Sequence, residues 1–194
     1  MKGIVDLTNS PSMPRKDRLR RVVILCCHFG RNLAYYRVGQ SEHYRHLFDP
    51  AKTASANFWR MANSDFLDMC VLEWCKLLAD EKGQHHWRKI VTDRTVFKAN
   101  LLNHLQLNEA ALQQYIDTMR TYRDKFVAHL DSDLTMSVPK LDVAKRAVWF
   151  YHAHIVRQEA TPEDLAGLGV KLDEGYALSE DEARRVFSSA GRTE

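Results

Sequence analysis

The sequence predicts an all-α helical bundle. Apolar residues recur at steps of three and four over long stretches, and no segment sustains an alternation of period two. Capping and stop residues bracket those stretches, as Asn108 and Gly83 do. The 194 residues are 45% hydrophobic and 27% charged, which suits one soluble domain with a real core. The apolar run from Val22 to Cys27 follows basic residues but is too short to span a bilayer or serve as a secretion signal. A cytoplasmic location and no membrane partner are therefore expected.

Taken in order, residues 1–14 hold Asn9, Ser10, Pro11, Ser12 and Pro14 and read as a flexible arm. A helix is expected from about Arg15 to Arg37, with Leu19, Val22, Val23, Cys26, Leu33 and Tyr36 inward and Gly39 as its stop. Residues 40–53 form a polar connection with one turn of helix. From Ala54 to Asp80 the chain is so apolar that a central helix touched on several sides is expected, with Glu73 the exception inside it.

Another helix is expected from about Asp93 to Leu105. Asn108 then caps a helix that begins with the favourable acid Glu109. A short ribbon is allowed around Leu134 to Val138, and Asp142 to about Gln158 reads as helical. Thr161-Pro162-Glu163-Asp164 signals a helix start that Gly167 and Gly169 cut short, and Ser179 opens a last short helix. The predicted organisation is an arm over 1–14, a bundle over 15–160 and a short helical appendage over 161–194.

The net charge of +3 conceals a gradient. Residues 1–60 carry 11 Lys/Arg against 4 Asp/Glu, whereas residues 161–194 carry 4 against 8. The excess at Arg15, Lys16, Arg18, Arg20 and Arg21 suits either a nucleic-acid backbone or a solvated helix start. Cys26, Cys27, Cys70 and Cys75 form no C-x-x-C pair and read as buried reduced thiols. There is no Gly-rich phosphate loop and no G-x-S-x-G elbow, and the nine histidines lack metal-ligand spacing. No metal or cofactor is expected.

The most informative stretch is Tyr122 to Asp131. Leu112, Tyr115, Ile116, Met119, Phe126, Val127 and Leu130 mark one buried helix face, and Arg123 falls on it. An arginine stays charged in a protein, so a buried one requires a carboxylate, a phosphate or another subunit. Glu73 is the candidate structural partner. The plain alternative is a structural ion pair and a core histidine at His129.

Arg123-Asp124, followed by His129 after five intervening positions from the arginine, resembles the signature of the HEPN superfamily (higher eukaryotes and prokaryotes nucleotide-binding). Asn57-Phe58-Trp59, Val71 to Lys76, His85-His86-Trp87 and Tyr122 to Asp131 are similar to its abortive-infection, AbiU-like branch. The resemblance covers roughly residues 20–160. It implies a helical bundle that dimerises across a two-fold axis, placing two motifs together. It also implies a metal-independent endoribonuclease of the toxin–antitoxin or phage-defence kind, or a relative that has lost catalysis and binds RNA or a protein such as an antitoxin.

The residue types suit that chemistry. RNA is cleaved without metal when its 2′-hydroxyl attacks the adjacent phosphorus, which requires proton transfer near neutral pH and a cation for the phosphate charge. His129, with an ordinary pKa near ~6.5, fits the first task and Arg123 the second. Asp124 is placed to orient either group, Lys125 to steer phosphate, and Tyr122 to stack on a base or pack in the core. In a regular α-helix Arg123 and His129 lie about 120° apart and roughly 9 Å along the axis, so one chain does not form a tight pair unaided. An isologous dimer would supply the missing half. A helical structural or regulatory protein unrelated to nucleic acid is the third reading.

Overall fold

The computed structural model describes residues 13–128, 138–169 and 171–190, with residues 126–128 described by their backbone only. Among the described residues there are seven α-helices: α1 (Arg15–Gly39), α2 (Ala56–Trp74), α3 (Trp87–Ile90), α4 (Arg94–Leu105), α5 (Glu109–Tyr122), α6 (Leu141–His154) and α7 (Leu172–Ala190). A 3₁₀ segment spans Glu42–Phe48, and π-helical turns extend α2, α5 and α6 over Cys75–Ala79, Arg123–Ala128 and Ile155–Glu159. No strand occurs among the described residues, so the all-α expectation holds. The expected arm and the 134–137 part of the expected ribbon lie outside the described residues, apart from Met13 and Pro14.

Helix α1 is the axis of the molecule. Its Leu19, Val22, Val23, Cys26, Phe29 and Leu33 are buried at steps of three and four. The helix packs along α2 on one side and α7 on the other, with α6 also against it. Gly39 belongs to the last turn of α1 and does not act as a left-handed stop. A Cβ there would overlap the Asn63 side chain and press on the Phe187 ring, so any larger residue would have to displace them. The chain turns just after it, where Ser41 Oγ donates to the Val38 carbonyl at 2.7 Å.

Helix α2 buries Leu67, Cys70, Val71 and Trp74, and its π extension buries Leu77 and Leu78. The expected central apolar helix is thus present, wound wider over its last residues. Asp93 and Asn108 cap α4 and α5, accepting from the Val96 and Ala111 amides at 2.9 and 2.8 Å. Between these helices Gln106 adopts a left-handed conformation, φ 57°. Its amide bonds to Asn103 O, and the Leu107 amide to Leu102 O, the paired closure of a Schellman motif.

The largest departure from expectation is at the C-terminus. Helix α7 begins at Leu172 and runs 19 residues, burying Leu172, Tyr176, Ser179, Ala183 and Phe187 in one stripe. Leu172 and Tyr176 join the main core, whereas Ala183 and Phe187 form a second cluster with Val38, Tyr44 and Leu47. This helix is part of the bundle and not the short appendage that the composition suggested. Thr161 and Asp164 do form reciprocal capping bonds, but only a turn follows, ending at Gly167 with φ +78°.

All four cysteines are free. Burial raises the Cys26 and Cys70 thiols well above their usual range and pushes Cys75 up to about 12. No helix of the described residues is long and apolar enough to cross a membrane.

Candidate functional site around Arg123

The site is built where α5 meets the end of α2. Three ties fix α5 there. The Tyr122 hydroxyl donates to Asp68 Oδ1 at 2.7 Å, the Tyr115 hydroxyl donates to the Lys140 carbonyl at 2.7 Å, and Trp74 meets the Tyr115 ring edge-on. Arg120 donates to the Ala79 carbonyl at the end of the α2 π extension, which also accepts from the Glu81 amide. Cationic groups are favoured at that end by the helix dipole.

One turn on, Arg123 reaches the same end. Its Nη1 donates to Asp80 Oδ1 at 2.5 Å and its Nε to Asp124 Oδ1 at 2.8 Å. The arginine side chain is 21% exposed, so neither contact is fully screened by water. The Asp124 bond raises the guanidinium pKa most; burial opposes this and Asp80 adds to it. Among the described residues, Nη2 has no hydrogen-bond partner.

Glu73, the expected partner, is not one of these carboxylates. It is buried and faces Lys76, with Oε2 and Nζ 3.4 Å apart. Asp80 takes its place because the α2 extension ends there and delivers its carboxylate to the last turns of α5. Asp80 closes the apolar run beside a lysine and glycine and reads in sequence as an ordinary solvated helix end. Its only sequence signal was that position, directly after the most hydrophobic helix.

The remaining candidates divide. Asp124 accepts from Arg123 Nε through Oδ1. Lys125 is partly exposed beside them. Tyr122, a candidate for stacking on RNA, is only 2% exposed, and its ring packs in the core. Its burial and the Asp68 contact raise its hydroxyl pKa, so it is a structural phenol. His129 lies outside the described residues. The backbone from Arg123 to Ala128 is a π-helix with more residues per turn than an α-helix, so the 120° separation from α-helical counting does not describe this segment.

Two of the five basic residues at the start of α1 are structural ties. Arg15 pairs with Glu159 at 2.5 Å and donates to the Ile90 carbonyl at 2.9 Å. Arg20 donates to the carbonyls of Asp164 and Ala166, which anchors the 161–169 turns. Burial alone would raise the Glu159 carboxyl, but bonds from Thr92, His154 and Arg15 hold it below its usual value. Both arginines hold the fold together and leave less of the basic cluster free for a nucleic-acid backbone.

Among the described residues no group of three or more His, Cys, Asp or Glu side chains is gathered closely enough to hold a metal ion. Against protein-family models, curated proteins and solved structures, the chain finds no match.

Proposed function

We propose that this chain is a HEPN-type, metal-independent endoribonuclease acting as a homodimer, with Arg123, Asp124 and His129 as its reacting set. The observation that supports this most is the state of Arg123. Two carboxylates fix its Nε and Nη1, and Nη2 keeps its donors unengaged among the described residues. A guanidinium held this way is pre-organised to receive a phosphate oxygen as charge develops on it. The π-helical winding from Arg123 to Ala128 adds support, since such distortions concentrate at functional positions.

In this reading His129 moves the proton of the attacking 2′-hydroxyl and Lys125 draws the phosphate backbone toward the site. A second copy places its own motif across the two-fold axis. A toxin or phage-defence role, with an antitoxin as partner, fits an RNA-cleaving chain of this size.

A second reading is a non-catalytic relative that binds RNA or a protein. It is favoured by the same ion pairs read differently: Asp80 and Asp124 already neutralise Arg123, and a phosphate must compete with them. Incubation with total RNA in EDTA separates the two. The endoribonuclease reading expects cleavage by the wild type and none by Arg123→Ala or His129→Ala, with helicity retained. Salt-sensitive RNA binding without cleavage would establish the second reading instead.

A further inference from the structure

Between the end of α1 and the middle of α2 lies an open pocket of about 320 Å³, large enough for a small organic molecule. Its charge is one-sided: Arg60 lines it, and among the described residues no Asp or Glu does. Arg60 Nε donates to the Phe48 carbonyl at 2.7 Å, and Phe48 belongs to the same wall. That bond engages the side-on edge of the guanidinium and holds the group at the pocket. The end-on pair, Nη1 and Nη2, has no hydrogen-bond or ion-pair partner among the described residues. Those two parallel donors match the two oxygens of a carboxylate.

The neutral groups of the wall favour the same kind of ligand. Asn63 is 4% exposed, and its Oδ1 is turned onto Gly39, so close that a Cβ there would overlap it. The amide nitrogen is then the polar atom this side chain has left to offer, and it makes no hydrogen bond among the described residues. Burial raises the Tyr36 hydroxyl pKa, so at neutral pH this phenol meets an anion as a donor. Leu67 and Val138 make the wall apolar elsewhere. One cation balances one negative charge, whereas a phosphate monoester carries about two at neutral pH and would keep one uncompensated.

We propose that this pocket binds a small monocarboxylate that carries an apolar ring or branched chain. The carboxylate takes the end-on donors of Arg60, and the apolar part covers Leu67 and Val138. The site draws on neither Arg123 nor His129 and stands whether or not the chain cleaves RNA.

Benzoate and benzamide test it, because they share a shape and differ in charge. Calorimetric titration of the full chain at neutral pH and low salt should show saturable benzoate binding, about tenfold tighter than benzamide. Phenyl phosphate should bind no tighter than benzoate. Arg60→Gln should bring benzoate down to the benzamide level with helicity unchanged. Ser64→Glu, one turn along α2 in the same wall, should weaken benzoate about tenfold by setting a like charge beside the carboxylate. Absent saturation, equal wild-type affinities for benzoate and benzamide, tighter binding of phenyl phosphate, or unchanged benzoate binding in either variant would each overturn the proposal. If Arg60→Gln fails to fold, the wild-type selectivity and Ser64→Glu still decide the matter.

Discussion

Arg123 draws its stability from two carboxylates of unequal burial. Asp80 is 35% exposed and Asp124 58% exposed, so the Asp80 contact should be the stronger. A double-mutant cycle of Arg123→Ala with Asp80→Ala, followed by urea denaturation, should give a coupling of ~1–2 kcal/mol. The same cycle with Asp124→Ala should give less than ~1 kcal/mol. Equal couplings would mean that the end of α2 does not fix the arginine. The need for a counter-charge was legible in the sequence, because a buried arginine requires a carboxylate, a phosphate or another subunit. Its identity was not, since Asp80 and Arg123 are 43 positions apart and meet only through the packing of α2 on α5.

His86 provides a second residue-scale test. Its folded-state pKa is depressed toward about 4 by burial, whereas the unfolded chain takes up the proton near ~6.5. The unfolded state therefore binds more protons between those values, and stability must fall as pH falls through that window. His85 and His152 are shifted in the same direction, also by burial, and add to the slope. Denaturation midpoints measured from neutral pH down to about 4 should decline, and His86→Gln should flatten part of that decline. A pH-independent midpoint would show that His86 is protonated without cost.

At the scale of elements, the caps at Asp93 and Asn108 and the apolar steps of α1, α2 and α6 were readable because each rests on local sequence. The turn at Gln106 was not, because a glutamine stands where the left-handed Schellman position favours glycine. Gln106→Gly should raise stability by ~0.5–1 kcal/mol in urea titration, by removing the cost of a left-handed side chain. A loss of stability would show that the Gln106 side chain contributes more than its backbone strain costs.

Helix α7 was underestimated for a related reason. Its buried stripe contains Ser179 beside Ala183, and Gly175 sits within the helix, so the apolar signal is weak. The Ser179 hydroxyl resolves its own burial by donating to the Gly175 carbonyl at 2.8 Å. Phe187 then contacts the Tyr44 and Trp59 rings, with centroids 5.5 and 5.2 Å away. Phe187→Ala should cost ~3 kcal/mol, as expected for an aromatic side chain removed from a packed cluster. An effect below ~0.5 kcal/mol would show that α7 is dispensable to the bundle.

On the scale of the whole molecule, α1 at the centre and the contact of α5 with the end of α2 position Arg123 and Asp124. The homodimer proposal expects a sedimenting mass of about twice the 22.5 kDa chain at micromolar concentration, and a strict monomer would remove the shared cleft. The helical class was legible from periodicity alone. The motif's residue types pointed to a chemistry, but the geometry of Arg123 depended on a long-range contact.

The ends of the RNA products report the proposed mechanism without intermediary. Attack by the 2′-hydroxyl without metal leaves a 2′,3′-cyclic phosphate on one fragment and a 5′-hydroxyl on the other. End analysis of RNA cleaved by the purified chain in EDTA should find that pair, with the signal lost in His129→Ala. Products bearing 3′-hydroxyl and 5′-phosphate ends, or cleavage undiminished in His129→Ala, would contradict the assignment of Arg123 and His129 to this chemistry.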